Sequence, residues 1–277
     1  MRKLLFSLVS IFLFLTCDRV FELENKNSNI LNNPVIIEYD KEKEESVQEE
    51  WNNFLLQYNA NYDTSLTHFM NATSFISQVY FKEYLPKIFF DVNDATIVDK
   101  LLQFYSEWDN LFGCKMNNIE LDYTNNEQGV FTVRFRQIKI NNTFYNFTDQ
   151  PFIKFTITED SELRNIISTL IPDADIEMPK RSNWVNISKM IDNTIGLEYE
   201  FPLDASSIYF PQKHIFSKTD KYHVNETFEI YPNYSDDTLL IYYLKGIKYS
   251  WHENNLQYSC TVYYHPETTE IIYIKKW

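Results

Sequence analysis

The chain has 277 residues, 44% of them apolar and 17% aromatic, and carries a formal charge of −14. That charge excludes nucleic acid as a partner, because such binding rests on Lys and Arg neutralising phosphates. Only 4 glycines stand against 20 Tyr and 22 Phe, which excludes the glycine-dependent phosphate loops and nucleophile elbows and leans the chain towards pleated sheet.

Met1-Arg2-Lys3 precede an apolar run, Leu4 to Thr16, that ends at Cys17. A basic start and a run too short to span a bilayer read as an export signal over residues 1–17. The cysteine after Phe14-Leu15-Thr16 resembles a bacterial lipobox, and this resemblance implies lipidation of Cys17 and anchoring to a bacterial membrane in the cell envelope. Ordinary cleavage nearby, giving a secreted soluble protein, is the alternative. No later apolar run approaches a membrane span, so membrane contact is expected only through the lipid. Residues 18–50, with scattered asparagines and the charged run Asp40 to Glu45, read as a flexible tether.

From residue 51 to 178 a first module is expected. Val47, Trp51, Phe54, Leu55 and Tyr58 recur at helical spacing, as do Leu66, Phe69, Met70, Phe75 and Ile76 with Asp63 or Thr64 as N-cap. A third helix begins at Asp94, buries Ile97, Val98, Leu101, Leu102, Tyr105, Trp108 and Leu111, and stops at Gly113. The chain then turns extended. Phe131, Val133 and Phe135 alternate with arginines, and the parity flips at Ile138 and Ile140, which requires a break near Gln137. Asn141-Asn142 supplies a turn. After Pro151, Ile153, Phe155 and Ile157 share one face of a strand; Glu159-Asp160 turns it into a closing strand, Leu163 to Leu170.

This stretch resembles the fungalysin/thermolysin propeptide region that precedes many secreted metallopeptidases. The resemblance rests on Val133-Arg134-Phe135-Arg136-Gln137, on Phe152 to Thr158, and on Leu170-Ile171-Pro172-Asp173; the glycines usual in that family's hairpin are missing.

Asp173 to Pro179 is acidic, but an EF-hand loop would need Gly and Glu where Met178 and Trp184 stand, so it reads as an interdomain linker. A second module follows over 179–277. Ser182 caps a short helix through Ile187, Met190 and Ile191 to Gly196, and four strands come after an irregular passage: Thr227 to Tyr231, Thr238 to Leu244 and on towards Trp251, Leu256 to Tyr264, and Glu270 to Lys275. Leu256, Tyr258, Cys260, Val262 and Tyr264 form the core face of the third. This part resembles a PepSY domain, through Phe228-Glu229-Ile230-Tyr231-Pro232 and the terminal hairpin Val262 to Ile271, with Thr269 where that family has glycine.

The fold class expected is therefore α+β, helices packed on curved antiparallel sheets in two successive modules. A single cone-shaped NTF2-like domain is the alternative. The zinc-peptidase helix needs His-Glu-x-x-His; here His252-Glu253 runs into Asn254-Asn255 and no second histidine follows. No metal, cofactor or catalytic residue is called for. Cys114 and Cys260 either pair as a disulfide or lie apart as buried hydrophobes. Tyr242, Tyr243 and Tyr263 are candidate exposed aromatics, because neighbours on a strand point to opposite faces. The expected function is a non-catalytic extracytoplasmic lipoprotein whose partner is a protein, with a secreted peptidase implied by the resemblance. A small-ligand or glycan binder and an enzyme on an NTF2-like cone are the alternatives.

Overall fold

The computed structural model describes residues 35–58, 68–70, 73–85, 95–158, 160, 162–174, 186–201, 211, 213–234 and 238–277. Its elements run in the order β1 (Val35–Glu38), α1 (Lys41–Gln57), β2 (His68–Met70), β3 (Phe75–Leu85), α2 (Ile97–Trp108), β4 (Ile119–Glu127), β5 (Val130–Gln137), β6 (Lys139–Ile140), β7 (Thr143–Phe144), β8 (Phe152–Thr158) and β9 (Leu163–Ser168). Then come α3 (Ile187–Thr194), β10 (Glu198–Glu200), β11 (Lys213–Ile215), β12 (Lys221–Tyr234), β13 (Thr238–Glu253), β14 (Leu256–Tyr264) and β15 (Ile271–Lys276). Every named strand pairing is antiparallel, so the class is α+β on antiparallel sheets.

Two compact units share the chain. The larger takes Asn32–Arg181 together with Thr227–Leu244, and the smaller takes Ser182–Glu226 with Lys245–Trp277. The division is therefore not sequential at 178/179. Residues 227–244 join the larger unit because β1 pairs the first part of β13, from Val35 opposite Ile241 to Glu38 opposite Thr238.

In the larger unit a six-stranded sheet has the order β2-β3-β9-β8-β5-β4. The period-two pattern of β5 and β8 buries Phe131, Val133, Phe135, Ile153, Phe155 and Ile157 on one face. On that face lie Val47, Trp51 and Phe54 of α1 and Ile97, Leu101, Phe104, Tyr105 and Trp108 of α2, joined in one apolar cluster. Each such side chain contributes about 1.5–3 kcal/mol on burial. Phe104 meets Phe155 edge to face at 6.1 Å, the arrangement aromatic quadrupoles prefer.

The charged run at Asp40 is no tether. The Asp40 side chain caps α1 by accepting from the backbone N–H of Glu42 (2.9 Å) and Lys43 (3.1 Å), and acidic residues in the first turn suit the helix dipole. The expected helix through Phe69, Met70, Phe75 and Ile76 is also corrected. His68–Met70 and Phe75–Leu85 are strands, paired to each other, with β3 also paired to β9; sheet pairing overrides an apolar spacing that mimics a helical face. Residues 63, 64, 66 and 94 lie outside the described residues, and Thr96 stands at the N-terminus of α2. Gly113 ends that segment at φ 70°, where a Cβ would meet the Phe75 ring at 2.5 Å; only glycine fits both conditions.

The break at Gln137 is real and is sealed by its own side chain. Fully buried, Gln137 donates through Nε2 to the carbonyl oxygens of Ile171 (2.8 Å) and Lys139 (3.0 Å) and accepts from the Ile171 N–H at 2.9 Å. Asn141 and Asn142, at φ 47° and 65°, turn β6 into β7 as a left-handed pair. The Asp173 carboxylate accepts from Asn118 Nδ2 (2.8 Å) and from the Asn141 N–H (2.9 Å), so this acidic residue of the linker staples the hairpin. Residues 175–179 lie outside the described residues.

In the smaller unit, Asn186 and not Ser182 caps α3, accepting from the Lys189 N–H at 3.1 Å; Ser182 lies outside the described residues. Met190 of α3 joins Ile247, Tyr249, Trp251, Cys260, Val262, Tyr264 and Ile274 in a second core. β13 and β14 close through Asn254-Asn255, at φ 51° and 63°, so His252-Glu253 sits at a strand end and not on a helix.

Candidate functional site

The surface with most to offer a partner is β4. It ends the six-stranded sheet, paired to β5 and, among the described residues, to no other strand. Burial falls along it from Ile119 (7%) and half-buried Glu120 to exposed positions from Leu121 to Glu127. A long edge strand leaves a row of backbone N–H and C=O groups open to another chain.

Its local geometry follows from the register. The pairs Leu121↔Phe135 and Tyr123↔Arg134 leave Asp122 as an extra residue, a bulge of the kind that protects natural edges. From Tyr123 to Glu127 the ladder is regular again. Side chains opposite Phe131, Val133 and Phe135 share the helix-side face: Asn126, Thr124 and Leu121. Leu121 is 44% exposed.

The other face carries charge. Arg136 pairs with Glu120, with an Nε to Oε1 distance of 2.7 Å, and Arg134 lies 3.1 Å from Asp122. The Arg134 guanidinium sits 4.1 Å from the Phe152 ring centroid and 5.9 Å from that of Tyr123, so it is held by aromatic faces as well as by a carboxylate. Lys154 lies directly opposite Arg134. Like charges opposite each other are unfavourable in a sheet, and the carboxylates of β4 offset this pair.

The site residues read from the sequence do not gather here. Cys114 and Cys260 are free thiols, each buried in the core of its own unit, and no disulfide joins them. Burial pushes both thiols well above the ordinary range. The tyrosines are not an exposed aromatic surface. Tyr263 is buried because it faces Gly246 across one pairing and stacks on Tyr273 at 5.7 Å across the other. Tyr242 is buried against Tyr231, and half-buried Tyr243 stacks on Phe228 at 4.8 Å. Cys17 lies outside the described residues.

A depression on α1 is lined by Glu44, Glu45, Gln48, Glu49 and Asn52 and is open to solvent, unlike the enclosed apolar pocket of small-ligand sites. Among the described residues no three His, Cys, Asp or Glu side chains cluster as metal ligands, and no helix is long and apolar enough to cross a membrane.

Sequence reading passes over β4 altogether. The signal was there: Ile119, Leu121 and Tyr123 alternate with Glu120, Asp122 and Thr124 before a Gln-Gly turn. What sequence does not carry is that, among the described residues, the strand has a neighbour on one side only.

No known family matches the chain's sequence, and no curated protein matches it. Among solved structures, the C-terminal domain of YpeB from Bacillus megaterium is similar over 86% of this chain and 98% of that one, at 9% identity and a TM-score of 0.32. At that score the likeness carries neither a shared family nor a shared activity.

Proposed function

We propose that this protein is a non-catalytic binding protein of the bacterial cell envelope, exported, anchored through lipidated Cys17, and engaging a protein partner by strand addition at β4. The observation that carries the reading is the edge itself: a nine-residue strand, bare on one side among the described residues, standing on a helix-backed sheet that holds it rigid. Strand addition takes affinity from main-chain hydrogen bonds and specificity from alternate side chains. The export signal and the cysteine that ends it support the envelope location. A secreted metallopeptidase is the partner class implied by the propeptide resemblance.

A photo-crosslinking residue placed at Asn126 on β4, with half-buried Gln48 on α1 as control, tests the mode of binding in intact cells. A discrete adduct from position 126 and none from 48 is expected. Adducts of equal yield from both, or none from either, overturn it. Separately, the full chain should slow a purified secreted metallopeptidase of the same organism; unchanged rates at saturating protein reject the peptidase as partner.

A further inference from the structure

We infer that the segment received by β4 is basic and alternating, with lysine or arginine on the outer face and an apolar side chain on the helix side. This rests on the strand-addition reading above and names its partner's chemistry.

Between Ile119 and Glu127 the chain carries Glu120, Asp122 and Glu127 and no lysine or arginine. The register places Glu120 opposite Arg136 and Tyr123 opposite Arg134, and the Asp122–Arg134 contact puts Asp122 on that same outer face. A strand added at the free edge sets its residues about 5 Å from those it faces, so its outer side chains come up against these carboxylates and the Tyr123 ring.

Glu120 and Glu127 keep room for a second cation. A carboxylate has about four acceptor positions; Glu120 shares its contacts with Arg136 at a pair whose side chains are 45% and 42% exposed, and Glu127 receives the Asn125 amide at 2.8 Å. Tyr123, 41% exposed, offers ring surface to an arriving cation. On the other face, exposed Leu121 continues the apolar row of Phe135 and is the place for an apolar side chain.

Two other occupants are disfavoured by the same residues. A second copy pairing antiparallel about Tyr123 and Thr124 would set Glu120 against Glu127, a like-charge pair that opposes the sheet. An acidic segment would approach a chain of formal charge −14 and be repelled before it docked.

The test uses the full chain and three short fluorescent peptides of equal length: alternating Lys-Val, alternating Glu-Val, and the Lys-Val peptide N-methylated along its ladder edge. Anisotropy should give the Lys-Val peptide at least about tenfold tighter binding than either other peptide, a difference near 1.4 kcal/mol. Amide exchange should slow across Tyr123–Glu127 when it binds. The charge-reversed variant E120K/D122K/E127K, or E127K alone should the triple variant not fold, should invert or level the preference. Equal binding of the Glu-Val peptide with the same protection of β4 overturns the basic class and leaves strand addition standing. Lys-Val binding that ignores N-methylation and leaves β4 exchange unchanged overturns strand addition itself, and no binding by any peptide overturns both.

Discussion

The side-chain amide of Asn193 donates to both the carbonyl oxygen (3.1 Å) and the hydroxyl oxygen (3.0 Å) of Thr269, fixing a β-branched residue at φ 64°. A threonine in the left-handed region is a conformational outlier that costs about 1–3 kcal/mol. It is held from α3, where Asn193 sits, and it is almost fully buried.

Asn193→Ala should therefore lower stability by about 1–2 kcal/mol. Thr269→Gly relieves the backbone while losing one of the two bonds, so in the wild type the effects oppose. In the Asn193→Ala background only the relief remains, and Thr269→Gly should stabilise more there. Thermal melts of the four proteins measure it; additivity within about 0.3 kcal/mol would show that the two residues do not act together.

Gln137→Met should be among the costliest single changes in the larger unit. It keeps the volume but leaves the N–H and C=O of Ile171 without the partner that Gln137 gives them, at about 1–3 kcal/mol for each orphaned group. Urea titration should register a fall of about 2–6 kcal/mol in unfolding free energy at unchanged slope. A fall below about 1 kcal/mol would mean that water repairs the gap.

The thiols give a chemical prediction. Only the thiolate reacts, and burial raises both Cys114 and Cys260, chiefly by desolvation, so the reactive fraction at pH 8 is depressed. With Cys17→Ser in the full chain, a water-soluble thiol reagent should label neither residue in folded protein and both after denaturation without reductant. Labelling of folded protein contradicts the burial, and no labelling after denaturation would reveal a disulfide.

Alkaline stability follows from Tyr249 and Tyr264, whose hydroxyls meet at 3.1 Å beside Thr194. Burial, the largest cause for each, raises both above the ordinary phenol range. In the unfolded chain these groups ionise near pH 10, while the folded chain keeps their protons. Their contribution is complete below about pH 10 and is lost as the pH climbs beyond it. Denaturant midpoints at pH 8, 10 and 11 should fall steeply over the upper interval. Tyr264→Phe should flatten that fall, and an unchanged slope would exclude this pair as its source.

Legibility in the sequence divided along physical lines. The alternation in β8 and the left-handed asparagine pair at Asn141-Asn142 were readable because local chemistry alone decides them. The break at Gln137 was readable from parity, but not the reason for it, since its partner Ile171 lies far along the chain. Phe69, Met70, Phe75 and Ile76 misled because apolar pairs five to seven apart fall near one helical face by accident, and only β9, reached through sheet pairing, decides against it. Tyr263 was only a candidate for exposure, on the rule that strand neighbours face opposite ways; the rule held, but around Tyr263 both faces of that strand are covered. The edge at β4 is a property of the sheet's order among the described residues, and no residue within the strand announces it.

Asn141, Asn142, Asn254 and Asn255 all occupy left-handed backbone, the conformation that glycine adopts without strain. Asparagine codons begin with two adenines and glycine codons with two guanines. Where the backbone must turn against its usual hand, the chain therefore uses a residue with adenine-rich codons, in keeping with a sequence rich in Asn, Lys and Ile. Glycine at those positions would hold the turn without strain, whereas a change to lysine or isoleucine, one base away, would place a long or branched side chain in left-handed backbone at a cost of about 1–3 kcal/mol.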